Sequence, residues 1–294
     1  MTKILFDANN LAIRCAMIGD VTTVDKKTKE VTNIDWEYWR LVVFTSIYSS
    51  LFKVKDVKSV VIAIDDKRSW RYEIFPRYKE ARKLKKSDDN FPWDTFFEKY
   101  QEFMEDIKAH IPFKVISVPR AEGDDIIGTI AIETPDPSEV VSNDKDFLQL
   151  CSDKIKLYNP SKQEHTAHPD PKFFLVEQCF LGQAKDSIFN IVTPSDWPEG
   201  KRKPGFGPKA FEKAMEYGWK EYIKDNKLEE NFKRNLNLID LSRAPADLKK
   251  DIMDAYNNYQ YPHPEKIWEF IKNNNWPDMI ESFTNLENKL MQLY

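Results

Sequence analysis

The chain has 294 residues, enough for one large domain or two modest ones, and its 41% hydrophobic and 13% aromatic content supplies a core and argues against global disorder. A net charge of −4 does not mark it as a nucleic-acid binder, and no apolar run approaches the roughly 20 residues of a membrane span. That average conceals Lys67 to Lys86, where nine basic and two acidic residues make a local +7.

Lys3 to Phe6 is a short apolar run that reads as a buried strand. Asp35 to Val54 is apolar and aromatic over helix length, with Asp35 placed as an N-cap. Val57 to Ile64 is a β-branched strand ending at Asp65-Asp66. After the basic stretch, Phe91-Pro92-Trp93-Asp94 opens a helix running to His110. Phe113 to Val118 predicts a third strand, Ala121 to Glu133 a helix, Glu139 to Ser142 a fourth strand and Lys154 to Tyr158 a fifth. Strands alternating with helix-length segments point to an α/β fold, with a mostly parallel central sheet flanked by helices. Asn159 to Pro171 is a polar link, and from Pro171 onward the pattern is helical. Within that α-rich region, Thr193 to Pro208 holds four prolines and three glycines and reads as a loop with a tight turn. There is no internal repeat. Three widely spaced cysteines (Cys15, Cys151, Cys179) offer neither a zinc spacing nor a disulfide framework, which suits a reducing compartment. The N-terminal run becomes polar too soon for a signal peptide, so a cytoplasmic location is expected.

The informative pattern is where carboxylates fall. Asp7 follows the first strand and Asp65-Asp66 the second. Glu122, Asp124 and Asp125 come a short turn after the third, and Asp144 and Asp146 follow the fourth. In an open parallel sheet the carboxyl ends of all strands share one edge, where ligand sites form. Carboxylates crowded there raise one another's pKa unless cations neutralise them. Oxygen ligands without His or Cys suit Mg²⁺ or Mn²⁺, and two such ions about 4 Å apart can clamp a phosphodiester. Taken one at a time, an Asp after a strand is more often a turn residue or helix cap than a catalytic group. Asp7 fits a cap through Asn9 and Asn10, and Asp66 and Asp124 fit the same role.

The basic stretch interleaves Arg71, Arg77, Lys79 and Arg82 with Trp70, Tyr72, Phe75 and Tyr78. Cations bind phosphates and aromatic faces stack on unpaired bases, although a charge run is more often a solvated helix face. A weaker signal is Lys201-Arg202-Lys203-Pro204-Gly205-Phe206-Gly207-Pro208-Lys209, a glycine hairpin that opens a helix and can offer backbone N–H groups to a phosphate.

These residues resemble the metal-dependent 5′ nucleases, or flap endonucleases, over nearly the whole chain. The resemblance rests on Phe6-Asp7-Ala8-Asn9-Asn10, Ala63-Ile64-Asp65, Ala121-Glu122-Gly123-Asp124-Asp125, Ser142-Asn143-Asp144-Lys145-Asp146-Phe147 and Leu181-Gly182-Gln183-Ala184-Lys185-Asp186. Near the end, Asn235-Leu236-Asn237-Leu238-Ile239-Asp240 is similar to the phage branch. The resemblance implies a PIN/5′-nuclease-like catalytic domain over residues 1–180, with a basic helical arch at 66–92. It also implies a helical region over 181–294 that carries a helix-hairpin-helix. Asp7, Asp65, Glu122, Asp124, Asp125, Asp144, Asp146 and Asp186 would hold two Mg²⁺ ions, replaceable by Mn²⁺. Lys79 and Arg82 would act on the scissile phosphate, with Arg71 and Tyr78 as strand contacts. Lys203, Gly205, Gly207 and Lys209 would grip duplex DNA, with K⁺ at the hairpin. The implied activity is 5′→3′ exonuclease and flap cleavage with RNA-primer removal, performed by a monomer on DNA and RNA/DNA flaps, nicks or primers. A single-strand-binding protein and a sliding clamp are the implied partners, in a host cytoplasm and away from membranes.

One departure stands out. The family usually has Gly-Asp-x-x-Asp where this chain has Gly182-Gln183-Ala184-Lys185-Asp186, which predicts a weaker second metal site or a water-mediated ligand there. Two rival readings follow. One is a branched-DNA-binding relative with weakened catalysis; the other is a PIN-type single-strand ribonuclease, a class that is normally shorter and lacks the arch.

Overall fold

The computed structural model describes residues 1–25, 27, 30–82, 90–281 and 283–294. Lys83, Lys85 and Lys86, and with them residues 83–89 of the arch expected at 66–92, lie outside the described residues.

Six strands form the central sheet: β1 (Thr2–Asp7), β4 (Val57–Ile64), β5 (Lys114–Ser117), β6 (Ser138–Val141), β7 (Ile155–Asn159) and β8 (Glu164–Thr166), in the order β5-β4-β1-β6-β7-β8. All neighbouring pairs are parallel except β7 with β8. β2 (Thr22–Val24) and β3 (Val31–Ile34) make a separate antiparallel hairpin. The five strands expected from sequence are present to within a residue or two. The hairpin, β8 and the helix Ala8–Ala16 are additions.

Both faces of the sheet are covered, which is why its strands are continuous apolar runs rather than alternating ones. In β1, Ile4 and Phe6 point into one core and Leu5 into the other, and Val60 and Ile62 of β4 likewise oppose Val61 and Ala63. The first core is closed by the helices Ala8–Ala16, Trp36–Lys53, Trp93–His110 and Lys266–Asn273, and the second by Gly123–Glu133 and Ala246–Asn257. Each fully buried Leu, Ile or Phe contributes about 1.5–3 kcal/mol. This two-sided burial holds the strand ends, and hence the groups that follow them, in a fixed frame.

The chain leaves β1 toward β4 and β5 on one side, then returns past β1 to β6 and β7 on the other. That reversal opens a crevice at the carboxyl ends of β1 and β6. From Pro171 on, helices dominate. Pro171–Leu181 packs on Glu229–Ile239, which also contacts the short helix Arg71–Ile74. The loop spanning 187–207 has no regular helix and leads into the helix Pro208–Tyr217. Among the described residues, no helix is long and apolar enough to cross a membrane.

Candidate metal centre and nucleic-acid cleft

β5, β4, β1 and β6 are adjacent in the sheet, and the carboxylates that follow them meet. A cleft of about 710 Å³ is lined by Asp7, Asp65, Glu122, Asp124 and Asp144. A second, of about 400 Å³, continues from Asp144 to Asp146, Gln183 and Lys185. Local structure aims each group. Asp7 is the N-cap of Ala8–Ala16, accepting from the Asn10 backbone N–H at 2.9 Å, so it serves both as a cap and as a wall of the cleft. Asp65 accepts from Asn9 Nδ2 at 2.7 Å and from the Gly123 N–H at 2.6 Å, at the N-terminus of Gly123–Glu133. A Cβ at Gly123 would stand 3.1 Å from Asp65 Oδ1, so the absent side chain permits that approach. Asp144 caps the 3₁₀ turn Lys145–Leu150, accepting from the Asp146 N–H at 2.9 Å. Asp66 accepts from the Arg120 N–H at 2.8 Å and tethers a loop.

Crowding leaves an electrostatic signature. Burial, then the charges of Asp65 and Asp144, pushes the Asp7 carboxyl up to about 7. Burial raises Asp65 as well. It raises Asp124 much further, with help from Asp7 and Asp144. Asp146 is raised by burial and by Asp144, with Lys185 opposing. Burial also works against the charge on Glu122, but Lys79 and Arg71 outweigh it and hold that carboxyl below its ordinary value. The folded chain therefore keeps protons on Asp7 that the unfolded chain releases near 3.8, so its stability falls as pH rises from there through about 7. In chelator, the Tm should drop between pH 5 and pH 8, Asp7→Asn should remove much of that drop, and a divalent ion should reverse it. A Tm that rises over this window in chelator contradicts the assignment.

The donors are oxygens alone, which fits a hard divalent cation. Among the described residues no three His, Cys, Asp or Glu side chains stand together at ligating distance. The chain's own cations and amides hold several of the carboxylates instead. Lys79 pairs with Glu122, Arg82 reaches Asp186 at 2.6 Å, and Lys185 bridges Asp144 and Asp146. Lys79 adopts a left-handed backbone conformation (φ 56°), and its N–H donates to the Asp186 carbonyl at 2.8 Å. Although Lys79 is partly buried, Glu122 and Asp65 keep it protonated.

Three expected site residues are placed differently. Arg71, expected to touch a strand, is 1% exposed, and its guanidinium contacts Asp125 at 2.8 and 2.9 Å, Glu122 at 3.0 Å and the Leu238 carbonyl at 2.8 Å. Tyr78, 5% exposed, donates to Glu122 at 2.9 Å and offers a strand no open face. Asp125 is fully buried, with both oxygens taken by Arg71 and with further bonds from Trp70 Nε1 and the Glu122 N–H. It is turned away from the cleft that Asp124 lines. Lys203, Gly205, Gly207 and Lys209 line neither cleft. Lys203 packs over the Phe189 ring at 3.9 Å, and a Cβ at either glycine would meet nothing within 4 Å among the described residues.

A family model described as the 5′-3′ exonuclease N-terminal resolvase-like domain matches residues 2–177, more than half of the chain. The chain belongs to the 5′-3′ exonuclease family. A second model, T4 RNase H C terminal, matches residues 170–286. Among curated relatives, Ribonuclease H of Enterobacteria phage T4 is 24% identical over 281 residues, covering 90% of each chain. Flap endonuclease Xni of Colwellia psychrerythraea is 23% identical, covering 86% of this chain and 89% of its own. The fold is that of the bacteriophage T5 flap endonuclease crystallised with DNA and metal ions, at a TM-score of 0.61, 19% identity and coverage of 93% and 98%.

Within this exonuclease-family chain, the cleft has groups that reading the sequence missed. Asn9 orients Asp65, and Trp93 and Phe97 add an apolar wall beside Ile13. The Asn9-Asn10 pair directly after Asp7 was the available signal for the first. Trp93 and Phe97, four apart on one helix, gave none that separates a cleft wall from core.

Proposed function

We propose that this chain is a structure-selective 5′ nuclease that hydrolyses phosphodiesters in 5′ flaps and RNA primers with a divalent cation, Mg²⁺ or Mn²⁺. What supports the reading is one juxtaposition: carboxylates following four adjacent strands line a cleft whose wall carries Lys79 and Arg82. When bound, the ion supplies Lewis-acid polarisation and charge neutralisation at the reacting phosphate. Asp7, Asp65, Asp124 and Asp144 are the proposed ligands. Lys79, held by Glu122, sets a positive charge where negative charge develops on the phosphoryl oxygens. Arg82, half-exposed beside Asp186, is placed to receive the neighbouring phosphate. Trp93 and Phe97 offer an apolar wall to an unpaired base. Lys203, Lys209 and the open backbone at Gly205 and Gly207 form a separate duplex contact, with K⁺ as a candidate ion there.

The test is cleavage of a labelled 5′-flap substrate with and without divalent ion. Ion-dependent product is expected, and flap binding without product would make the chain a binding protein. Preference for single-stranded RNA lacking a junction would favour the ribonuclease reading. Lys79→Ala should lower kcat by roughly 10²–10³-fold, with little change in flap affinity. A pure affinity loss would reassign Lys79 to binding.

A further inference from the structure

The two halves of the acidic crevice are neutralised differently. Among the described residues, no Lys or Arg stands within ion-pair distance of Asp7, Asp65 or Asp124, and the Lys79 charge, paired with Glu122, reaches them only from beyond it. In the other half, Lys185 Nζ lies 2.9 Å from each Asp144 oxygen and 3.0 Å from Asp146. Gln183, 8% exposed, donates from Nε2 to Asp146 Oδ1 at 2.8 Å, and Arg82 covers Asp186. Three carboxylates there face two cations and an amide donor.

Lys185 is held in this place by its backbone. Gly182 ends Pro171–Leu181 with φ +70°, and a Cβ there would lie 2.5 Å from the Ile188 carbonyl oxygen, so only glycine fits. The chain then folds back, with Gln183 and Ile188 exchanging backbone hydrogen bonds at 2.9 and 3.0 Å. Lys185 projects from the tight turn between them, whose Asp186 carbonyl also anchors Lys79.

We infer that the Lys185 ammonium takes the place of a second divalent ion, leaving this chain to work with one ion, at Asp7, Asp65 and Asp124, and a fixed cation of its own, with Asp144 shared between the two. The inference rests on the nuclease reading for its chemistry, but its geometry stands apart from it. An ammonium with three donors satisfies two carboxylates at once, and a dication in the same space would meet its charge at close range. Asp146 can only accept, so the Gln183 amide presents N–H rather than oxygen to this pocket. The Lys185 side chain is 45% exposed, so its charge can act on a phosphoryl oxygen in the crevice, the electrostatic part of what a second ion would do.

The test counts ions without substrate, by electron paramagnetic resonance of free Mn²⁺ titrated with the intact chain. Wild type should bind one ion. Lys185→Met, which keeps the stem and removes the charge, should bind two, the second at least about tenfold tighter than any second ion in wild type. Gln183→Asp, with the ammonium retained, should stay at one. Two ions on wild type, one on Lys185→Met, or two on Gln183→Asp would each overturn the inference. Flap cleavage by wild type is scored separately, so an inactive chain with the expected ion count refutes the nuclease reading alone.

Discussion

Asp144→Asn should lower cleavage by on the order of 10³-fold or more while leaving flap binding intact. Among the described residues, Asp144 is the only carboxylate that lines both clefts, so a change there reaches both halves of the crevice. The substitution is close to isosteric. Its remaining carbonyl oxygen can still accept from the Asp146 N–H, which preserves the cap of the 3₁₀ turn and with it the fold. What disappears is one unit of negative charge and one hard oxygen donor. Affinity for DNA should hold or rise slightly, since a negative group near the phosphates has been removed. Gel assays of cleavage, with anisotropy of a labelled flap in chelator, check both halves of the statement. Cleavage within about tenfold of wild type would remove Asp144 from the proposed ligand set.

Much of this architecture was legible from residue pattern, and the reasons are local. β1 and β4 are recognisable because burial on both faces demands apolar residues at every position, and Val57–Ile64 was read to the residue. The hairpin β2–β3 escaped because it is short and mostly exposed, so it carries no apolar period. Ala8–Ala16 escaped because Asn9 and Asn10 look like a turn, when in fact they follow a cap and face the cleft. Strand-end carboxylates were visible, but the order that makes β5, β4, β1 and β6 neighbours is a property of the sheet, not of any one segment. The same limit explains Arg71. In a run of nine basic residues an arginine looks solvated, and its partners, Asp125 and Leu238, lie 54 and 167 positions away. The bridge that Lys185 makes is not legible in the segment that holds it, because which carboxylates it reaches depends on the turn at Gly182.

Arg71→Ala should destabilise the fold by about 3–5 kcal/mol, a large fraction of the roughly 5–15 kcal/mol that holds such a protein together. The guanidinium is buried over the Trp70 ring, 4.8 Å from its centroid, and joins the carboxylates of the second core to the last turn of Glu229–Ile239 through Leu238. Burial works against its charge, but Asp125, Tyr78 and Glu122 outweigh that and hold it firmly protonated. Removing it leaves Asp125 without a counter-charge in a site with no access to water, and frees Glu122 on one side. Arg71→Lys should recover only part of the loss, because an ammonium cannot meet Asp125 bidentately and still reach the Leu238 carbonyl. Arg71→Met with Asp125→Asn should lose less than the sum of the two single changes, since no unpaired charge then remains. Urea unfolding of the five variants in chelator measures each step. If Arg71→Ala costs under about 1 kcal/mol, the network is not what couples the C-terminal helices to the acidic edge of the sheet. A loss in the expected range, together with reduced cleavage at temperatures where the variant is still folded, would make Arg71 a positioning residue, acting through Glu122 on the Lys79 that faces the reacting phosphate.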